Sequence, residues 1–383
     1  MSVYDNLIGQ EHIISTLKGA VEASRLGAES QEMTHTWLFT GPPGSGRSTA
    51  AIAFAQALIC DESGCGFCSN CLSALSGGHP DVEIIRTEGL SIKVEEIREL
   101  LTRVAWAPSL GGWRVVVMED ADRLTESAAN ALLKAIEEPG SRTVWLLCAP
   151  TLQDLLPTIR SRCRHMQLRT PPTETIANFL IAKDQIEPGT AQLAAQISQG
   201  HIGRARFFAT SESAQKNRKT IMQIPNQLNS FASALQAAQI LVDLATSEAE
   251  AITEKSDEGE IKKLQEAYGK GTTGRGMASG GSKAVKELEK EQRIRATRLV
   301  RDSIDAALLD LTTFYRDVLL VQNGMPNSLI NSDLQKEITQ ISSQISINST
   351  IAKIDSLHKS RSQLTQNAAP LLTCEALMTQ LMS

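Results

Sequence analysis

Short apolar runs alternate with helix-like stretches between residues 36 and 168. Most of these runs are too apolar to leave one face in water, which is typical of parallel strands covered by helices on both sides. The pattern predicts strands at 36–40, 82–86, 114–118, 143–148 and 165–168. We therefore expect an α/β domain in which helices flank a parallel sheet.

The strand pattern ends at Pro171 and Pro172, after which the chain becomes helical. Short helices are predicted at 173–183, 190–198 and 204–211, and an alanine-rich helix at 226–249. Glycine-rich residues 268–282 predict a flexible loop, and helical spacing from Ile304 onwards predicts a bundle. The resulting domains are the sheet domain 1–170, a helical lid 171–213 and a helical domain 214–383 that contains the glycine-rich insert.

Composition and charge narrow the possible functions. The 383 residues suffice for two or three domains with cores of their own. The net charge of −5 argues against a strongly basic surface that surrounds DNA. The basic part of the charged segments 251–267 and 283–301 still leaves a local DNA contact open. Neither a secretion signal nor a membrane-length apolar run is evident, so we expect a cytoplasmic protein with no membrane partner.

A glycine-rich loop follows the first predicted strand and precedes a helical pattern at 50–58. Its sequence matches the phosphate-binding spacing G-x-x-x-x-G-K-[ST] at Gly41, Gly46 and Ser48, with Arg47 in place of the lysine. Gly44 and Thr49 of the same loop are further candidate nucleotide-binding residues. Glycines let backbone N–H groups turn toward phosphate oxygens, and Ser48 carries the hydroxyl that holds Mg²⁺. The loop predicts ATP and Mg²⁺ binding, whereas the wide guanidinium of Arg47 argues against hydrolysis. An ordinary glycine turn is the alternative.

Two acids, Glu119 and Asp120, follow the apolar strand predicted at 114–118. Acids at this place hold Mg²⁺ and polarise the attacking water in nucleotide hydrolases. Their usual order is Asp then Glu, so the inverted order found here also indicates weakened catalysis. Two solvated acids at a strand end are the alternative interpretation.

Four of the seven cysteines lie close together, at Cys60, Cys65, Cys68 and Cys71, with the spacing C-x4-C-x2-C-x2-C. Four thiolates complete a tetrahedral zinc site and leave no position for a substrate water, so the spacing predicts a structural Zn²⁺. Free thiols and an iron–sulfur cluster stay open as alternatives, because thiolates alone do not select the metal.

A last candidate is Arg162, within Ser161-Arg162-Cys163 and just before the last predicted strand. An arginine at the edge of a nucleotide domain is placed to act in trans on the γ-phosphate held by a neighbour. The tripeptide by itself is weak evidence, and a surface ion pair is the default interpretation.

Together these motifs resemble the clamp-loader branch of the AAA+ proteins, and within it the delta-prime family of bacterial DNA polymerase III. The resemblance covers residues 1 to about 210 well and the C-terminal third more loosely. It rests in chain order on Ile8-Gly9-Gln10, the loop 41–49, the four-cysteine insertion, the segment 132–139, Ser161-Arg162-Cys163, Gly203-Arg204, Phe314-Tyr315-Arg316-Asp317 and Asn367.

The resemblance implies an AAA+ domain with a zinc-binding insertion, a helical lid and an all-α collar. It implies a stator in a ring with tau/gamma motor subunits and a delta subunit, which together load the sliding clamp onto primer–template DNA. Arg162 then acts in the ATP site of an adjacent motor, and Arg204 occupies the second-sensor position of the lid. Any DNA polymerase activity belongs to the complex.

Two other functions stay open. An ATP-hydrolysing motor of the tau/gamma type would tolerate Arg47 and the inverted acids. Motor subunits of this branch carry a lysine at the first place and the Asp-Glu order at the second, so both departures favour the stator. A zinc-dependent DNA-binding repair protein is the third hypothesis, which the acidic balance and the lack of aromatic stacking positions disfavour.

Overall fold

The computed structural model describes residues 2–25, 32–87, 91–109, 112–140, 142–267 and 281–382. Its contacts divide the chain into two units, Met1–Thr210 and Ser211–Ser383. The finer division of the chain at residues 170 and 213 stays a prediction.

Helices and strands alternate through most of the first unit. The strands are β1 (Thr36–Thr40), β2 (Val82–Ile85), β3 (Arg114–Met118), β4 (Thr143–Ala149) and β5 (Arg164–Gln167). The helices are α1 (Glu11–Arg25), α2 (Arg47–Ile59), α3 (Ser69–Leu75), α4 (Val94–Val104), α5 (Glu126–Glu137), α6 (Pro157–Arg160), α7 (Thr173–Asp184), α8 (Pro188–Ile197) and α9 (Ile202–Thr210). Each strand agrees with its predicted bounds to within one residue, so the predicted strands are confirmed.

The strands form a parallel sheet in the order β2-β3-β4-β1-β5. Successive residues of a strand point to opposite faces, and both faces are covered here. On one face Trp37 and Phe39 pack with Phe54 of α2, whereas Leu38 packs on the other face with Leu100 of α4. The predicted parallel sheet flanked by helices is confirmed.

The order of the strands determines where a ligand site forms. β1 and β3 both pair with β4, so the chain segments that follow β1 and β3 leave the same edge of the sheet on either side of β4. Ligands of open α/β sheets bind at this carboxyl edge. The glycine-rich loop follows β1 and the two acids follow β3, which places both candidate elements at one edge.

A small helical layer completes the first unit. Helices α7, α8 and α9 pack around an alanine-rich core that includes Ile176, Leu180 and Ala205. Small side chains let short helices approach closely, which explains how so few residues form a packed layer. The three predicted short helices are confirmed, with α8 and α9 each beginning two residues earlier than expected.

The described residues of the second unit form helices joined by short turns and loops, with no strand among them. Its helices are α10 (Glu212–Gln227), α11 (Phe231–Ala267), α12 (Gly281–Gln322), α13 (Gln335–Gln344), α14 (Ile347–Thr365) and α15 (Pro370–Met382). Residues 281 and 282 of the predicted glycine-rich loop belong to α12, and residues 268–280 lie outside the described part of the chain. The predicted C-terminal helical bundle is confirmed.

A buried polar network holds the segment between α12 and α13. The fully buried Asp317 accepts hydrogen bonds from the backbone N–H groups of Ile330 and Asn331 and pairs with Arg316. Arg218 donates to Asn331 and pairs with Asp333. Because each buried charge has partners, the network fixes this segment rather than leaving an unpaired charge in the core.

Among the helices of the described residues, none has an apolar stretch of the length that spans a membrane.

Candidate nucleotide and metal sites

The glycine-rich loop ends where helix α2 begins. Gly46 adopts the left-handed conformation, with φ of 94°, and Arg47 is the first helical residue. The first amides of a helix have no partner within the helix, and together with the helix dipole they attract an anion. Gly41 begins the loop and is anchored by its backbone N–H, which donates to the carbonyl of Pro150. The local backbone thus has the features of a phosphate-binding loop.

The loop lines a cleft of about 510 Å³ that it shares with the lid helices. From the loop the cleft is lined by Gly44, Gly46, Arg47, Ser48 and Thr49, and from helix α9 and the residue before it by His201, Gly203 and Arg206. Positive charge therefore lies on both sides of the cleft, from Arg47 on the loop side and from Arg206 on the lid side. This arrangement suits a ligand that carries several negative charges.

His201 is a residue of this cleft that the sequence analysis missed. Gly44 has φ of +78°, and a Cβ atom at this position would collide with the imidazole ring of His201, so only glycine fits here. The Nδ1 atom of His201 accepts from the backbone N–H of Arg204 at 3.2 Å. Burial lowers the pKa of His201, and the charges of Arg204 and Arg47 lower it further, so the ring is neutral at pH 7.

The lid presents a different arginine from the predicted one. Gly203 and Arg206 are three residues apart on α9 and both line the cleft, whereas Arg204 is not among its described lining residues. Arg206 is also held in place by an ion pair with Asp184 of α7. The role assigned to Arg204 stays a prediction, and the geometry offers Arg206 as a second candidate.

Replacing either of the two lid arginines is expected to affect nucleotide binding to a different extent. Replacement of Arg206 by alanine removes a charge-assisted contact and is expected to weaken binding of a fluorescent nucleotide analogue by about tenfold. Arg204→Ala serves as the matched control and is expected to change the dissociation constant much less. A stronger loss in Arg204→Ala than in Arg206→Ala would restore the original assignment.

Each of the two strand-end acids is paired with an arginine. Glu119 lies 3.2 Å from Nε of Arg86, and Asp120 lies 3.9 Å from Nε of Arg123. A third acid nearby, Asp122, was not predicted, because it lies in the helical turn 121–123 and does not follow the strand directly. Burial raises the pKa of Asp122, with Asp120 adding to the rise and Arg123 and Arg47 opposing it.

The buried thiol of Cys148 is affected by the charges of the loop and of the acids. Burial raises its pKa, and the charges of Arg47, Glu119, Asp120 and Asp122 all act on it. Cys148 lies on β4, between the strand that precedes the loop and the strand that precedes the acids. The structure therefore brings the predicted loop and the predicted acids together.

Arg162 lies on the surface, where an ion pair holds it. Its guanidinium is 2.6 Å from Glu137 and donates to the carbonyl of Thr158 at 2.8 Å. The side chain is 40% exposed, so a neighbouring molecule can reach it. The default interpretation of a surface ion pair describes this geometry, and the role in trans stays a prediction.

Arg162 and the phosphate loop of the same chain lie at opposite ends of the strands. Arg164 pairs with Trp37, so Arg162 precedes β5 at the amino edge, whereas the loop follows β1 at the carboxyl edge. From Trp37 to the start of the loop is four residues, or about 13 Å along the strand. Arg162 therefore lies away from the phosphate loop of its own chain.

The sulfur atoms of Cys60, Cys65, Cys68 and Cys71 all lie within 4.8 Å of one another. Cys60 is 3.7 Å from Cys65 and 3.8 Å from Cys68, measured between sulfurs. A tetrahedral zinc with Zn–S bonds of about 2.3 Å places its sulfur ligands about 3.8 Å apart. The cluster thus fits one tetrahedral metal ion, and it is too tight for the larger body of an iron–sulfur cluster.

The ionisation of the four thiols also suits a metal. Burial opposes ionisation of Cys60, but the backbone N–H groups of Cys65, Gly64 and Glu62 outweigh it and lower the pKa to about 7. Burial and the neighbouring thiols raise the pKa of Cys71. Crowded thiols resist successive ionisation, and a cation at their centre removes that penalty. The cluster can therefore hold a metal such as zinc.

The chain matches two family models in separate regions. A model described as DNA polymerase III, delta subunit, matches residues 12–172. A second model, described as DNA polymerase III, delta subunit, C terminal, matches residues 297–382. The first covers the sheet and its candidate sites, and the second covers much of the helical second unit.

Curated relatives carry similar names. DNA polymerase III subunit delta' of Bacillus subtilis is 31% identical over 215 residues, covering 55% of this chain and 63% of the relative. Subunit delta' of Pseudomonas aeruginosa is 36% identical over 174 residues, covering 44% and 53%. Subunit tau of Escherichia coli is 28% identical over 278 residues, covering 70% and 41%. The chain thus spans less than two thirds of the length of each of these relatives.

Solved structures give more distant matches. A DNA polymerase III gamma subunit-related protein from Thermotoga maritima has a TM-score of 0.35 at 17% identity, covering 75% of this chain and 99% of that one. A RuvB mutant from Thermotoga maritima has a TM-score of 0.39 at 20% identity, covering 57% and 64%. The family models and the curated relatives carry this comparison, and by them the chain is similar to the delta, delta' and tau subunits of DNA polymerase III.

Proposed function

We propose that the chain is a delta-prime-type stator of a bacterial clamp loader. In this role it assembles with tau/gamma motor subunits and a delta subunit, and the ring loads the sliding clamp onto primer–template DNA with energy from ATP. The stator itself hydrolyses little or no ATP. The observation that carries the proposal is the altered nucleotide site, where Arg47 replaces the loop lysine and both strand-end acids are paired with arginines.

Arg162 is the catalytic contribution of the stator to a neighbour. The position of Arg162 at the amino edge of the sheet, away from its own phosphate loop, supports action in trans. Its guanidinium is exposed and carries a fixed positive charge. Placed at the γ-phosphate of an adjacent motor subunit, it stabilises the charge that develops as the phosphoryl group leaves.

Cys60, Cys65, Cys68 and Cys71 hold a structural Zn²⁺ in this proposal. Zinc would cross-link the end of α2 to the start of α3, since Cys60 follows α2 and Cys71 lies in α3. The N-terminal segment depends on the same loop, because the N–H of Val3 donates to the carbonyl of Gly64. The metal therefore supports the part of the domain next to the nucleotide cleft.

A tau/gamma-type motor is the second candidate function. The match to tau of Escherichia coli, which covers 70% of this chain, favours it. In that case Arg47 performs the work of the usual lysine. The delta' relatives and the two delta-named family models favour the stator instead.

A reconstitution experiment tests the stator proposal. Labelled sliding clamp, primed circular DNA, delta and motor subunits are mixed with ATP, with and without this chain. The proposal predicts that clamp loading requires the chain and that the chain comigrates with the other subunits on size exclusion. Equal loading in its absence, or failure to join the ring, would overturn the proposal.

A further inference from the structure

The phosphate loop of this fold implies a bound Mg²⁺, and the strand-end acids are the residues that would hold it. Both acids are already engaged by cations of the chain itself. Glu119 pairs with Arg86, which follows β2 directly, and Asp120 pairs with Arg123 in the turn after β3. A magnesium ion at these acids would therefore compete with a guanidinium group at 3.2 Å from Glu119 and with another at 3.9 Å from Asp120.

The third acid of this group also has arginines nearby. The third carboxylate, Asp122, lies within electrostatic range of Arg123 and of Arg47 in the loop. The carboxylates of Glu119, Asp120 and Asp122 are therefore all faced by guanidinium groups. Mg²⁺ binds carboxylates in near-ideal octahedral geometry and gives up its water reluctantly, so acids that already face guanidinium groups are a poor site for it. These residues do not fit a resident Mg²⁺.

The guanidinium group of Arg47 is a cation at the phosphate loop that does not depend on Mg²⁺. One of its guanidinium nitrogens, Nη1, is buried and has no hydrogen-bond partner among the described residues. A buried donor without a partner is costly, and an anionic oxygen entering the cleft would satisfy it. Arg206 lines the same cleft from the lid while it pairs with Asp184. The cleft thus contains two guanidinium groups, those of Arg47 and Arg206, that can face the phosphates of a nucleotide.

We propose that this chain binds a nucleoside di- or triphosphate at its phosphate loop without Mg²⁺, with arginine side chains in place of the metal. Arg47 and Arg206 contact the phosphates, and Arg86 and Arg123 stay paired with Glu119 and Asp120. This inference deepens the proposed function, because it names the ligand state of the stator's own site. A nucleotide held in this way stabilises the fold of the cleft and is not positioned for metal-assisted hydrolysis.

Nucleotide binding by the isolated chain tests the inference. A fluorescent ADP or ATP analogue is titrated with the protein in excess Mg²⁺ and, separately, in EDTA. The dissociation constants are expected to agree within about threefold, whereas a metal-dependent site would bind tenfold or more tightly with Mg²⁺. Tenfold tighter binding with Mg²⁺, or no binding under either condition, would overturn the inference.

A double variant and a matched control test the role of Arg86 and Arg123 directly. The double variant Arg86→Gln and Arg123→Gln leaves Glu119 and Asp120 unpaired, so Mg²⁺ is expected to tighten its nucleotide binding by about tenfold. Arg103→Gln is the matched control, since Arg103 is an exposed arginine paired with Glu83. No gain of Mg²⁺ dependence in the double variant would contradict the role of the arginines. Clamp loading in the reconstituted ring reports separately on the stator proposal.

Discussion

Replacement of Arg162 by alanine is expected to lower ATP turnover by about 10³-fold at the motor site that it faces, as loss of an arginine finger does elsewhere. The physical reason is the loss of a fixed positive charge at the departing phosphoryl group. The measurement is phosphate release by the assembled ring in the presence of clamp and primed DNA.

Two control variants separate this role from a structural one. Arg162→Lys keeps the charge without the planar fork and is expected to recover only part of the turnover. Arg103→Ala removes an exposed, ion-paired arginine from the same sheet domain and is expected to leave turnover unchanged. Unchanged turnover in an intact ring that contains Arg162→Ala would remove Arg162 from the mechanism.

Purified protein prepared without chelators is expected to contain about one zinc per chain, and Cys68→Ser is expected to lose it. Three sulfur ligands hold the ion far less tightly than four, and the loop between α2 and α3 loses its cross-link. The measurements are metal analysis by mass spectrometry and thermal unfolding, in which the variant melts at a lower temperature.

Cys163→Ser is the matched control for the metal site. Cys163 lies outside the cluster and donates to the carbonyl of Ile159. Its replacement is expected to leave the zinc content unchanged. Iron in place of zinc, or protein that folds equally well without any metal, would contradict the assignment.

The sheet was predictable from the sequence because its strands are buried on both faces. Runs such as residues 114–118 have no polar face, and few structures other than a covered parallel strand accommodate them. The four cysteines were equally clear, since their spacing alone brings four sulfurs together. The phosphate loop and the acids were found because each directly follows a strand.

Contacts between distant parts of the chain were not predictable from the sequence. His201 reaches the loop through the packing of the lid, which no local pattern records. The pairing of Arg86 with Glu119 depends on the register between β2 and β3. The prediction for the lid named Arg204 because the sequence motif contains it. Position around helix α9 decides which side chains line the cleft, and Gly203 and Arg206 lie on the face that does so.

ATP turnover by the purified chain alone tests the central claim most directly. The Arg47→Lys variant is measured in parallel, with Mg²⁺ present. The account predicts no turnover by the natural protein, and none by the variant, because Glu119 and Asp120 remain paired with Arg86 and Arg123. Steady Mg²⁺-dependent turnover by the natural protein would contradict the account and identify the chain as a motor.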